Sequence, residues 1–284
     1  MIRVNGGKVE LGHFPDGTLL MHENSNIGDI VYIEWYYDND AELTALIFLA
    51  KHFREHGISE IHLYMPYIPN ARQDRVKSSE DVFTLKYFAD VINWLNFTSV
   101  TVLDPHSTVS EALINRINIE SPQKYVMEAM RNIGNYMIMF YPDEGASKRY
   151  SGMFDIPYAF GIKKRDWKTG KILGLDVAGA TEDISGNSIF IVDDICSKGG
   201  TFYYAAKKLK ELGAKDIYLY ISHCENSILE GELINSGLIK KIYTTDSIFT
   251  STHPLIEVIE CRKPWGRTIS NYGRKYPYEK LEKP

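Results

Sequence analysis

Two kinds of apolar stretch alternate along the chain: some recur at helical spacing, others run continuously for four to eight residues. Leu43, Leu46, Ile47, Ala50 and Phe53 share one helical face, with a cap at Asp38-Asn39-Asp40 before them and Gly57 as a stop after them. Ile61 to Tyr67 predicts a strand, ending where Pro66 and Pro69 flank a turn. Leu85, Phe88, Ala89, Ile92 and Leu95 predict a helix over Phe83 to Leu95, and Val100 to Asp104 predicts the next strand. After Ser121-Pro122 the same grammar returns. Strands are predicted at Tyr136 to Tyr141, Ile189 to Asp193 and Ile217 to Ser222, with a helix from Thr201 to Leu212 stopped by Gly213. Such alternation favours an α/β fold with mainly parallel sheets flanked by helices.

A chain of 284 residues is long for one ordinary domain and comfortable for two. The seam is placed at Ser121-Pro122, giving domains 1–122 and 123–284. Ile162 to Ala180 carries Lys163, Lys164, Arg165, Lys168, Lys171 and several glycines, and it is expected to be a long mobile connection. The segment from Lys263 to Pro284, basic and aromatic, is expected to be a packing arm.

Composition then narrows the classes. With 44% hydrophobic and 24% charged residues the chain is globular, neither disordered nor fibrous. A net charge of −5 supplies no basic excess for sequence-independent binding of nucleic acid. Apolar runs such as Ala45 to Ala50 fall far short of the roughly 20 residues of a membrane span, and the first residues lack the apolar stretch of a signal peptide. Cys196, Cys224 and Cys261 show no CxxC spacing, which argues against a disulfide framework and a structural zinc site. The expectation is a cytoplasmic protein with neither nucleic acid nor membrane as partner.

The strongest chemical signal is Ile189-Phe-Ile-Val-Asp193-Asp194-Ile-Cys-Ser197-Lys198-Gly199-Gly200-Thr201: an apolar strand, two carboxylates, and a glycine-bearing turn into a helix. Backbone N–H groups from Ser197 to Thr201, with a helix N-terminus behind them, suit an anion. Gly199 and Gly200 let a phosphate approach the backbone, and Asp193 and Asp194 can accept from vicinal sugar hydroxyls. A phosphorylated sugar meets both demands.

This segment resembles the phosphoribosyl-pyrophosphate-binding loop shared by type I phosphoribosyltransferases and ribose-phosphate pyrophosphokinases, and other segments resemble the pyrophosphokinases alone. Tyr67 to Arg75 is similar to their PY-x-x-x-ARQD-R/K segment, and Leu103-Asp104-Pro105-His106 to their D-L-H. Tyr141 to Arg149 is similar to S-P-D-x-G-G-A-K-R, Phe14-Pro15-Asp16-Gly17 to the F-x-D-G-E adenine loop, and Asn39-Asp40 to N-D-N. The resemblance implies two tandem type I phosphoribosyltransferase-like domains with the active site in the crevice between them. It implies ATP held by Phe14, Asp16, Arg72, Gln73, Arg75 and His106, and a sugar phosphate held by Asp143, Asp193, Asp194, Ser197, Lys198, Gly199, Gly200 and Thr201. It further implies Mg²⁺ near His106 and Asp143, and Lys163 and Arg165 as the catalytic pair. The implied reaction is transfer of diphosphate from ATP to ribose 5-phosphate, giving phosphoribosyl pyrophosphate and AMP, by a homo-oligomer, dimer or hexamer, whose adenine loop reaches across subunits.

Departures from the pattern leave alternatives. Ser197-Lys198 replaces the usual Asp-Thr, Thr18 stands for Glu, and Glu80 for an Arg. The added positive charge beside the phosphate admits a substituted phosphate, so ADP-ribose, with a product able to feed NAD synthesis, is the rival acceptor. A plain phosphoribosyltransferase or a catalytically silent partner subunit is the remaining reading.

Overall fold

The computed structural model describes residues 1–23, 28–134, 137–165 and 172–262, with only the backbone described at 163–165 and 172–174. In chain order the elements are β1 (Ile2–Val4), β2 (Gly7–Lys8), β3 (Glu10–His13), β4 (Leu19–His22), β5 (Ile30–Trp35), α1 (Ala41–Glu55), β6 (Glu60–Tyr64), α2 (Thr84–Trp94) and β7 (Ser99–Leu103). There follow α3 (Val109–Leu113), β8 (Ile117–Glu120), α4 (Gln123–Ile133), β9 (Met137–Tyr141), α5 (Glu144–Tyr150), β10 (Tyr158–Arg165) and β11 (Ile172–Gly179). The last are β12 (Ser188–Cys196), α6 (Gly200–Glu211), β13 (Ile217–Cys224), α7 (Glu232–Asn235), β14 (Lys241–Thr245) and β15 (Ile256–Ile259).

The chain divides into two compact units, Met1–Ser121 together with Cys261 and Arg262, and Pro122–Glu260. Cys261 is tied into the first unit through its carbonyl, which accepts from Tyr64 Oη at 2.8 Å. In that unit β5, β6, β7 and β8 run parallel, and β1 pairs antiparallel to β5 at the edge. Val31, Ile33 and Trp35 of β5 pack with Leu46, Leu49 and Phe53 of α1 and with Leu85, Phe88 and Ile92 of α2 in one core. Burial of each large side chain there contributes roughly 1.5–3 kcal/mol. β3 and β4 form a separate hairpin.

The second unit is a seven-stranded sheet in the order β11-β10-β9-β12-β13-β14-β15, parallel except for β10 with β11. All five residues of β9 and all eight of β13 are buried, as expected of central parallel strands covered on both faces. From the middle of this sheet the chain leaves β9 toward β10 on one side and β12 toward β13 on the other. The ends of β9 and β12 therefore flank a topological switch point, the place where open α/β sheets bind ligands.

Several expected boundaries move. The strand from Ile61 stops at Tyr64, ahead of Pro66, which has no N–H for the ladder. The strand containing the acid pair runs on to Cys196, so Asp193 and Asp194 lie within its last turns and the glycine turn starts at Ser197. The larger correction concerns Ile162 to Ala180. Apart from 166–171, which lie outside the described residues, this stretch is the β10–β11 hairpin and not an irregular connection. Leu175 and Val177 of β11 alternate onto the second core, a period-2 signal obscured in the sequence by the basic run around it. Lys263 to Pro284 lies outside the described residues. Among the described residues no helix is long and apolar enough to cross a membrane.

Candidate active site

In the first unit the loops after β6 and β7 lie side by side, because Leu103 N donates to Pro66 O at 3.0 Å. Pro66, Ile68, Pro69 and Ala71 are buried and anchor the first loop, which leaves Arg72, Gln73 and Arg75 exposed beyond a turn at Asn70. Gln73 is held by the start of α2: Thr84 Oγ1 donates to its Oε1 at 3.0 Å, and Leu85 N donates to its carbonyl at 3.3 Å. Between them Asp74 accepts Arg75 Nε at 2.7 Å and Nη2 at 2.9 Å, and Ser107 Oγ from the second loop at 2.6 Å. The Arg75 hydrogen bonds, with Ser107 adding to them, hold the Asp74 carboxyl well below the usual carboxylate range. Asp104, buried at the end of β7, takes φ +40°, a left-handed conformation uncommon outside glycine, and the next two residues lead to half-buried His106. Phe14 and Asp16 sit on the exposed β3–β4 turn. There Asp16 Oδ1 accepts Thr18 N at 2.9 Å and Thr18 Oγ1 at 2.6 Å, and the Thr18 hydroxyl lowers the Asp16 pKa.

In the second unit the two segments at the switch point are joined by charge. Asp143, directly after β9, caps α5 by accepting Ala146 N at 3.0 Å. On the same short helix Arg149 Nη1 donates to Asp194 Oδ2 at 2.5 Å, and Asp194 is only 4% exposed. The second member of the acid pair is thus engaged with the segment after β9. Asp193, half-buried, accepts the Asp194 N–H at 3.0 Å. The turn Ser197-Lys198-Gly199 then delivers α6, with Gly199 at φ +77° and Gly200 opening the helix, where first-turn N–H groups lack intrahelical acceptors. Lys198 Nζ meets Glu230 Oε2 at 3.3 Å, an exposed pair. Lys163 and Arg165 lie on β10 opposite Leu175 and Ile172; their side chains lie outside the described residues.

The structure thus groups Arg72, Gln73 and Arg75 with the His106 loop in one unit, and Asp143, Asp193, Asp194 and Ser197 to Thr201 in the other. Sequence reasoning missed four supports. Asp74, Ser107 and Arg149 act through partners 33 or 45 positions away, which no local pattern reveals. Gly231 is the fourth: a Cβ there would stand 1.9 Å from Lys198 O, so the Ser197-Lys198-Gly199 turn rests against bare backbone. Among the described residues no three His, Cys, Asp or Glu side chains converge as a ready metal cage.

Comparison with known proteins gives these clusters a common origin. Residues 1–95 match the model of the N-terminal domain of ribose phosphate pyrophosphokinase, and residues 147–234 match that of the phosphoribosyl transferase domain. The ribose-phosphate pyrophosphokinase of Thermococcus kodakarensis is 28% identical over 222 residues, covering 76% of this chain and 77% of that protein. Ribose-phosphate pyrophosphokinase 1 of Listeria monocytogenes is 29% identical over 265 residues, covering 89% of this chain and 81% of that protein. Across both units the chain is thus similar to ribose-phosphate pyrophosphokinases. It also shares its fold with phosphoribosylpyrophosphate synthetase from Mycobacterium smegmatis, at a TM-score of 0.74 and 18% identity, over 89% of this chain and 86% of that one. Two α/β domains of phosphoribosyltransferase type are therefore the architecture, and identities below 30% set the chain apart from these relatives.

Proposed function

We propose that this chain transfers the diphosphoryl group of ATP to the 1-hydroxyl of ribose 5-phosphate, forming phosphoribosyl pyrophosphate and AMP. The observation that carries the reading is the pairing, on one chain, of a pyrophosphokinase N-terminal domain with a transferase domain. A simple phosphoribosyltransferase has no use for the first. In this reading Arg72, Gln73, Arg75 and His106 hold the nucleotide's phosphates, Phe14 and Asp16 its base, and guanidinium forks suit phosphate oxygens. Asp193 accepts from the sugar hydroxyls while Arg149 holds Asp194 in place behind it. The N–H groups from Ser197 to Thr201 take the 5-phosphate.

The anomeric oxygen attacks the β-phosphorus in line as the bond to the α-phosphate oxygen breaks, and AMP leaves. Such a step needs positioning and neutralisation of charge more than covalent chemistry, and Lys163 and Arg165 are assigned that neutralisation. The donor set fits Mg²⁺ carried on phosphates, since that ion keeps waters and takes only one or two protein carboxylates. Asp143 in the second unit and His106 in the first are each proposed as residues that could hold such an ion, and when bound it would offset phosphate charge. The family's adenine loop implies a homo-oligomer.

ADP-ribose was the rival because Lys198 adds charge beside the phosphate turn. Glu230 answers that charge within the protein, and no named relative is an ADP-ribose enzyme. Incubation with ATP, Mg²⁺ and each sugar in turn, measuring AMP, tests the reading. AMP is expected with ribose 5-phosphate; release with ADP-ribose alone would overturn the acceptor, and release with neither would overturn the activity. Lys163→Ala is expected to lower kcat about 10²–10³-fold with an unchanged unfolding midpoint.

A further inference from the structure

The loop after β6 and the loop after β7 are joined at their base by Leu103 N to Pro66 O, and once more near their tips. The second joint is the carboxylate of Asp74. Its two oxygens take three donors: Arg75 Nε on Oδ1, and both Arg75 Nη2 and Ser107 Oγ on Oδ2. Ser107 is 5% exposed, and its single hydroxyl proton goes to Asp74 while its oxygen accepts Val109 N at 3.1 Å. The hydroxyl therefore has one orientation, fixed from both sides. Asp74 lies between Gln73 and Arg75, and Ser107 follows His106 directly. Each end of the bond is adjacent to a residue to which the proposed function gives a nucleotide contact.

We infer that Asp74 and Ser107 are positioning residues that clamp the two loops together, so that Arg75 and His106 are set for the nucleotide before it arrives. The inference deepens the proposed function and rests on it. The fork on Asp74 uses two of the five N–H donors of Arg75 and fixes the plane of the guanidinium, leaving the others for phosphate oxygens. Pre-orienting these groups lowers the ordering cost of binding, so the clamp acts on ATP affinity. It does not touch the sugar, whose proposed residues all belong to the second unit.

The test uses Ser107→Ala, Asp74→Asn, the double variant, and Ser107→Thr, which keeps the hydroxyl. Steady-state AMP formation with ribose 5-phosphate, ATP affinity by calorimetry, and the unfolding midpoint are measured on each. Ser107→Ala is expected to raise KM and Kd for ATP about tenfold, the scale of one lost hydrogen bond to a charged group, with KM for ribose 5-phosphate within about twofold. The double variant is expected to be no weaker in ATP than Asp74→Asn, because Asp74→Asn already removes the carboxylate to which Ser107 donates. Ser107→Thr restores ATP affinity. An unchanged ATP affinity in Ser107→Ala, an equal rise in both KM values, or effects that multiply in the double variant would each overturn the clamp. If the wild type binds ATP but releases no AMP, the proposed reaction fails and the calorimetric series still decides the clamp. If it binds no ATP, both fall.

Discussion

Cys196, the last residue of β12, stands opposite Cys224 on β13, and both thiols are buried. The hydrogen bond shared with Cys224 and then burial push the Cys196 thiol far above its ordinary value. A group raised on folding contributes stability that is complete below its unfolded pKa, near about 8.5 for a thiol, and declines as pH rises beyond it. The stability difference between the wild type and Cys196→Ala is therefore expected to be constant from about pH 6 to 8 and to narrow above about 9. Thermal unfolding across that range measures it; a difference that widens with alkalinity contradicts the assignment. The thiol next to the phosphate turn is thus a small apolar residue in function, not a nucleophile. The strand–acid–glycine run was readable in the sequence because all its parts are neighbours. The ion pair of Arg149 with Asp194 was not, since it depends on β9 and β12 being adjacent, a fact of topology.

One element supports another at the phosphate turn. Leu233 of α7 lies against Gly199, where a Cβ would come within 3.0 Å of its side chain, and Gly231 just before α7 lies against the Lys198 carbonyl. Gly231 has φ −85°, so close approach and not backbone freedom demands glycine there. Gly231→Ala must push the turn away from its support. The expected result is a loss of about 1–3 kcal/mol in stability and a rise of tenfold or more in KM for ribose 5-phosphate, with KM for ATP little changed. Equal loss for both substrates would mean a general defect. At this scale the long periodic elements, α1, α2, α6, β12 and β13, were visible in the apolar pattern within a few residues. The strands β1 to β5, β8, β14 and β15 and the helix α4 were not among the expected elements; the shortest of these strands carry too little period and owe their state to the neighbour that pairs with them.

Over the whole molecule, a net charge of −5 coexists with substrates that are themselves anions. On the proposed reading attraction is local, from Arg72, Arg75 and the α6 N-terminus, and not from an overall field. Exposed Phe14, 49% accessible on its hairpin turn, is an unfavourable place for an aromatic ring unless something covers it. The proposed reading shares the Phe14 loop between subunits, so light scattering after size-exclusion is expected to give at least a dimer mass for the active enzyme; a strictly monomeric active species would refute shared sites.

The β10–β11 hairpin has a mechanical property that follows from its register. β10 meets β9 only at Tyr158, Ala159 and Phe160, whereas its pairing with β11 continues to Arg165. Past Phe160 the ribbon has left β9 and is held to the second core by Val177 and Leu175 of β11, opposite Gly161 and Lys163. Its root is tight, because Gly161 abuts Pro142 O so closely that a Cβ would stand 2.6 Å from it. Any residue but glycine at 161 must therefore push the hairpin and the turn before Asp143 apart, which makes that close approach the joint between the basic strand end and the segment after β9.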